Sequence, residues 1–180
     1  MVDTQRANGR SSGRPSSDPL RIPLPHPPPR VAVLGIGNEL NGDDAAGVLA
    51  ARTLAARTEP REDLLIVEAG VAPENFTGTL RRFRPDLVLE IDAAEMGRAP
   101  GAAVWLDWRE TDGLSASTHT LPPSVLASFL ASDLGCQVAL IGIQPAETGL
   151  GIPVSPAVTD GILRVVAELS RWLRVPPEAG

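Results

Sequence analysis

The chain lacks the residues that several common kinds of protein are built from. Its only cysteine is Cys136, so it has no internal disulfide framework and no multi-cysteine zinc module. Tyrosine is absent and phenylalanine occurs three times, which leaves few rings to stack on unpaired bases. Lysine is also absent: the 16 basic residues are all arginine, against 22 acidic ones, and the formal net charge is −6. A duplex binder needs a positive face, so nucleic acid is not expected as a partner. No apolar run approaches the roughly 20 residues that cross a bilayer, and the first residues do not resemble a secretory signal. The expectation is a soluble, cytoplasmic protein without a membrane span. Gly-x-Ser-x-Gly occurs once, at Gly9–Gly13, in a polar N-terminal stretch with no strand before it and no helix after it, so a serine-hydrolase triad has no nucleophile turn.

With 180 residues, 43% of them hydrophobic, the chain can bury one sizeable core. Residues 1–29 fall outside it. This stretch runs through Arg10-Ser11-Ser12-Gly13-Arg14-Pro15 to Pro27-Pro28-Pro29, with few apolar groups to bury and many prolines that lack an N–H. It is expected to be a disordered Pro/Ser/Arg-rich tail, either dispensable or a docking peptide.

From Val31 onward, short apolar runs alternate with helical periodicities. Strands are expected at Val31–Gly35, Leu64–Val67, Leu87–Ile91 and Gln137–Ile143, with a short edge strand at Val104–Leu106. Helices are expected at Asp44–Ala56, Pro73–Phe83 and Pro122–Leu134. The third of these carries Val125, Leu126, Phe129, Leu130 and Leu134 along one face. A last helix begins at Ser155-Pro156, a capping residue followed by proline at the first helical position. The alternation implies α/β architecture: a three-layer α/β/α sandwich around a mostly parallel, twisted, five-stranded sheet. In such sheets the ligand site lies at the carboxyl ends of the strands.

The residues that can do chemistry fall at those ends. The first loop reads Gly35-Ile36-Gly37-Asn38-Glu39-Leu40-Asn41-Gly42-Asp43-Asp44. A dinucleotide fingerprint would place glycine at position 40, where Leu40 stands, and the two carboxylates would repel a pyrophosphate. The loop instead delivers Asp43 and Asp44 to a helix start, where the dipole favours ionised carboxylates. One of them is expected to cap that helix. Asp92 ends the third strand, where a carboxylate must be paired, hydrogen-bonded or metal-bound. Glu90 shares its strand face, an odd acid in an apolar run, facing the site, an edge or a partner. His119 precedes a helix and is the only histidine outside the tail. It is read either as an ordinary hydrogen-bonded histidine or as a ligand. Two carboxylates and one imidazole make a three-ligand site with open positions, suited to Ni²⁺ or Zn²⁺. Gln144 ends the fifth strand as a supporting or peptide-binding amide. Cys136 is read as inert.

These motifs together resemble the hydrogenase maturation proteases: Gly35-x-Gly37-Asn38-x-Leu40-x-x-Asp43-Asp44, then Ile91-Asp92-Ala93-Ala94, Ser117-Thr118-His119 and Gly142-Ile143-Gln144-Pro145. Pro73-Glu74-Asn75-Phe76-Thr77-Gly78 and Ser117–Pro122 resemble the branch that processes hydrogenase-3-type large subunits. Ala45 stands where the family often has glycine, and Glu90 where it usually has an apolar residue.

The resemblance implies a maturation-protease domain over residues 30–175. It implies an endopeptidase that removes the C-terminal extension of a nickel-loaded [NiFe]-hydrogenase large-subunit precursor. It implies that Asp44, Asp92 and His119 contact nickel carried by the substrate, for which Zn²⁺ or Cd²⁺ can substitute, with no permanently bound cofactor. Gly37, Asn38 and Gln144 are assigned to substrate binding and Asp44 or Asp43 to the catalytic base, the basis for grouping the family with aspartic peptidases. Two adjacent residues on one turn are not the facing pair that shares a proton in pepsin-like enzymes. A monomer is expected. A nickel-dependent checkpoint without catalysis and a small-molecule metal-dependent hydrolase are the competing readings.

Overall fold

The structure, a computed structural model, describes residues 30–106, 108–110 and 123–175. The expected N-terminal tail, residues 1–29, and His119 lie outside these residues.

Five strands form one sheet: β1 (Val31–Ile36), β2 (Leu64–Gly70), β3 (Leu87–Ala93), β4 (Ala103–Leu106) and β5 (Gln137–Ile143). Their order is β2-β1-β3-β5-β4. All neighbours are parallel except β4, which runs antiparallel to β5 along the edge. β1 and β3 are buried throughout, which is why they read as near-continuous apolar runs instead of alternating ones.

The helices are α1 (Ala46–Ala56), α2 (Thr77–Phe83), α3 (Pro123–Leu134) and α4 (Pro156–Trp172). Strand side chains alternate between two cores. Val33, Leu89 and Ile141 point to the core closed by Leu54 of α1 and Ile162, Val166 and Leu169 of α4. Leu34, Val88 and Val138 point to the core closed by Leu80 of α2 and Leu126 and Leu130 of α3. The expected three-layer architecture is what forms.

α4 starts where expected. Ser155 caps it, its Oγ accepting the Val158 N–H at 3.3 Å, with Pro156 in the first turn. The sequence reading needs correction in three places. The stretch expected as one helix from Asp44 begins as a 3₁₀ turn, Gly42–Ala45, before α1. Pro73–Phe76 is likewise 3₁₀ before α2. On α3, Leu126 and Leu130 are buried while Val125 and Phe129 remain exposed. The apolar stripe on that helix is wider than the strip of sheet beneath it.

Connections leave β1 for β2 on one side and reach β3 on the other, so the strand order reverses at the carboxyl ends of β1 and β3. A crevice opens at such a point. The Asp43-Asp44 turn follows β1, and Asp92 lies near the end of β3.

Candidate functional site

Helix α1 is held hard against the strand ends by the absence of a side chain. A Cβ on Gly47 would lie 2.0 Å from the Ile91 carbonyl oxygen and 2.3 Å from that of Ile36. This approach brings the 3₁₀ turn carrying Asp44, three residues earlier, beside the end of β3 carrying Asp92. Both carboxylates are buried. Asp44 is near enough that its charge acts on Asp92. Burial first, then the Asp44 charge, push the Asp92 carboxyl up to about 8, against a smaller opposing effect of the Ala93 N–H. That N–H donates to Asp92 Oδ1 at 2.8 Å.

The Gly37–Asn41 loop orients Asp44. The Asn38 N–H donates to Asp44 Oδ2 at 3.2 Å and the Asn41 side-chain amide donates to the same oxygen at 3.4 Å. Asn38 Oδ1 accepts the Leu40 N–H at 3.0 Å and so closes the loop on itself. Gly37 has a φ of +136°, and a Cβ there would stand 1.9 Å from the Asp44 carbonyl oxygen. Glycine is therefore required for the loop to cross the aspartate turn. Gly37 and Asn38, assigned to substrate binding from the sequence, support Asp44 in this structure.

Asp43 points elsewhere. Its Oδ2 accepts the Ala146 N–H at 2.8 Å, the Glu147 N–H at 3.1 Å and the Ser155 hydroxyl at 2.9 Å, and its Oδ1 accepts the Ser155 N–H at 2.6 Å. Burial pushes this carboxyl up, but the donors from Ser155, Ala146 and Glu147 outweigh it, so the group stays below its ordinary value. A carboxylate whose lone pairs are so engaged is a poor proton acceptor. Asp43 is a clamp between the first loop and the segment that leads from β5 into α4. Nor does either aspartate cap a helix: neither the 3₁₀ turn nor α1 has a side-chain cap.

Gln144 is also fully engaged. Its Oε1 accepts the Met96 and Arg98 N–H groups at 2.8 and 3.1 Å, and its Nε2 donates to Glu95 Oε2 at 2.8 Å and the Pro145 carbonyl at 3.1 Å. It braces the loop after β3. Its side chain serves here as a supporting amide, with all four of its hydrogen bonds made within the chain.

Glu90 lies on the same face of β3 as Asp92, and β3 is the central strand, so the edge reading falls away. It is fully buried between Leu34 of β1 and Leu140 of β5. Neither carboxyl oxygen has a hydrogen-bond partner among the described residues. Burial, with the Asp92 charge second, pushes it up to about 8.

No group of three His, Cys, Asp or Glu able to hold a metal occurs among the described residues. Of the three ligands read from the sequence, Asp44 and Asp92 come together, and His119 lies outside those residues. The sequence reading missed Ser155 as partner of Asp43 and Arg52 as a tie between loops. The Arg52 guanidinium bonds Glu39 at 2.6 and 3.0 Å and Glu68 at 2.5 and 3.0 Å. The Ser155-Pro156 motif marks Ser155 as a helix cap but not as a partner of Asp43, and an Arg on an exposed helix face carries no signal of its partner.

The family model described as hydrogenase maturation protease matches residues 48–172. The hydrogenase 3 maturation protease of Escherichia coli K12 is 33% identical over 141 residues, 78% of this chain and 88% of that protein. The crystal structure of the [NiFe] hydrogenase maturation protease HycI from Thermococcus kodakarensis KOD1 is similar with a TM-score of 0.74 at 36% identity. It covers 81% of this chain and 93% of that one. The solution structure of the endopeptidase HycI from Escherichia coli has a TM-score of 0.71 at 30% identity, covering 84% and 99%. The family model, the sequence likeness and the fold agree: the chain belongs to the hydrogenase maturation protease family.

Proposed function

We propose that this protein is an endopeptidase that removes the C-terminal extension of a [NiFe]-hydrogenase large-subunit precursor, and that it acts only after nickel has entered the precursor. One observation carries the reading beyond family membership. Asp44 and Asp92, distant in sequence and buried, meet where the strand order reverses. A cation shared between two buried carboxylates offsets the cost of burying them side by side, which supports this reading.

In this reading Asp44, Asp92 and His119 bind nickel held by the substrate, and the ion docks the precursor so that its scissile bond lies beside the carboxylates. A precursor without nickel forgoes that docking energy, and its tail is not positioned. Water attacks the scissile carbonyl, activated by the ion or by Asp44 as general base. Asp44 is favoured over Asp43 for this step because the lone pairs of Asp43 are committed to Ala146, Glu147 and Ser155. Any likeness to aspartic peptidases then rests on one base, not a proton-sharing pair. No resident cofactor enters the scheme, and the protein works as a cytoplasmic monomer.

The test is mass spectrometry of nickel-loaded and nickel-free precursor after incubation with the protein. Loss of a C-terminal peptide from the loaded form alone is expected. Asp44→Asn, Asp92→Asn and His119→Ala are each expected to abolish that loss while the protein stays folded. Binding without any change in precursor mass would instead favour a checkpoint that does not cleave.

A further inference from the structure

The loop that orients Asp44 also holds a large aliphatic side chain out into solvent. Leu40 lies between Asn38 and Asn41, both bonded to Asp44, yet it is 68% exposed. Two further exposed aliphatic residues stand on segments hydrogen-bonded to this loop. Leu150, 82% exposed, precedes Gly151, whose N–H donates to the Leu40 carbonyl at 2.8 Å. Val71, 54% exposed, follows Gly70, whose carbonyl accepts the Gly37 N–H at 3.1 Å. Leu150 and Leu40 are the most exposed large hydrophobic residues among those described. Three separate loops thus bring apolar side chains to one rim of the carboxylate site.

These side chains are presented by a braced framework. Glu39, next to Leu40, is held by Arg52, which also holds Glu68 of β2. The Gly149 N–H donates to the Asn41 carbonyl at 3.4 Å, and Ile152 fills the space over Gly42. Among the described residues, Leu40 and Leu150 stay largely outside the core. Exposed apolar clusters beside a site are the usual mark of a surface that binds polypeptide.

We infer that Leu40, Leu150 and Val71 form an apolar docking rim that binds a hydrophobic stretch of the precursor polypeptide next to its scissile bond. This rests on the protease reading above and extends it from metal recognition to recognition of the peptide. The occupant follows from continuity: Leu40 and the Asp44-binding amides share one five-residue loop, so the rim borders the place where a chain carrying nickel to Asp44 would dock. Such contact is remote from the reacting atoms. It contributes binding energy without touching the chemistry.

The experiment compares wild type, Leu40→Ser, Leu150→Ser, the Leu40→Ser/Leu150→Ser double variant and Val71→Ser on nickel-loaded precursor, with Leu163→Ser, an exposed leucine of α4, as control. Each rim variant should raise KM about tenfold, the double variant more, with kcat within about twofold and an unchanged melting temperature. Leu163→Ser should match wild type. An unchanged KM in the double variant, or a loss of kcat at constant KM, overturns the inference. If wild type binds precursor without cleaving it, the protease reading fails, and equilibrium binding then decides: the double variant must still bind more weakly. A wild-type dimer in sedimentation that the double variant splits would give the rim to a second copy and overturn it as well.

Discussion

Glu90 sits one side-chain repeat below Asp92 on the same face of β3, fully buried, with no hydrogen-bond partner for either carboxyl oxygen among the described residues. The relationship has a direct thermodynamic consequence. The folded value of Glu90, about 8, lies above the ordinary 4.5. The native state therefore holds that proton more tightly than the unfolded chain. Stability from this group is complete below about pH 4.5 and is lost as pH rises toward 8. Glu90→Leu is expected to raise the unfolding free energy of the metal-free protein by about 1–3 kcal/mol near pH 8. Denaturant titrations of the two proteins should converge near pH 4.5, and parallel curves at every pH would refute the assignment.

Asp43 and Asp44 should respond in opposite ways. Asp43→Asn places an amide against donors from Ala146, Glu147 and Ser155, and is expected to cost about 2–4 kcal/mol. Asp44→Asn removes a charge that pushes on Asp92 and is expected to leave the metal-free protein as stable or more so. Because Asp43 is held below its ordinary value, its share of stability is present above pH 3.8 and disappears as pH falls through its folded value. Thermal melts of both variants at neutral and acid pH check the pair.

Gly37→Ala is expected to cost about 3 kcal/mol or more, since φ is unfavourable for a side chain and the new Cβ collides with backbone. The Asp44 carbonyl oxygen stands 1.9 Å from that Cβ position. Loss of Ni²⁺ binding in calorimetry should accompany the drop in melting temperature. A variant as stable as wild type would show that the loop can move aside.

Gln144→Leu leaves the Met96 and Arg98 N–H groups without their acceptor, and is expected to cost about 2–3 kcal/mol. Hydrogen exchange at those amides should quicken while KM for the precursor stays put. A raised KM in a variant of unchanged stability would return Gln144 to the substrate.

Removal of residues 1–29 is expected to leave precursor processing unchanged. A large fall in rate, measured with the same precursor assay, would make that segment part of substrate docking.

Much of the architecture was legible because buried parallel strands and amphipathic helices write their periods into the chain. β5 was read to the residue, and α4 was placed by Ser155-Pro156. β1 and β3 run farther than read, to Ile36 and Ala93, because pairing with neighbours extends a strand beyond its apolar run: Asp92 and Ala93 pair with Gly142 and Ile143 of β5. The antiparallel direction of β4 left no local trace. Val125 and Phe129 share an apolar face with Leu126 and Leu130 yet stay exposed, because periodicity identifies an apolar stripe but not the width of the surface that will cover it.

The sequence alone determined the class of fold, the strand ends at which chemistry collects, and the family, since each motif depends on residue types at fixed local spacings. Tertiary structure decided which of two adjacent aspartates clamps the first loop to the segment before α4 and which lies beside Asp92. Ser155, 112 residues from Asp43, supplies two of its donors, while Asp44 is turned to Asn38, Asn41 and the end of β3. Side chains that are chemically identical acquire different roles from the donors and charges that folding places around them, and those neighbours are remote in the chain.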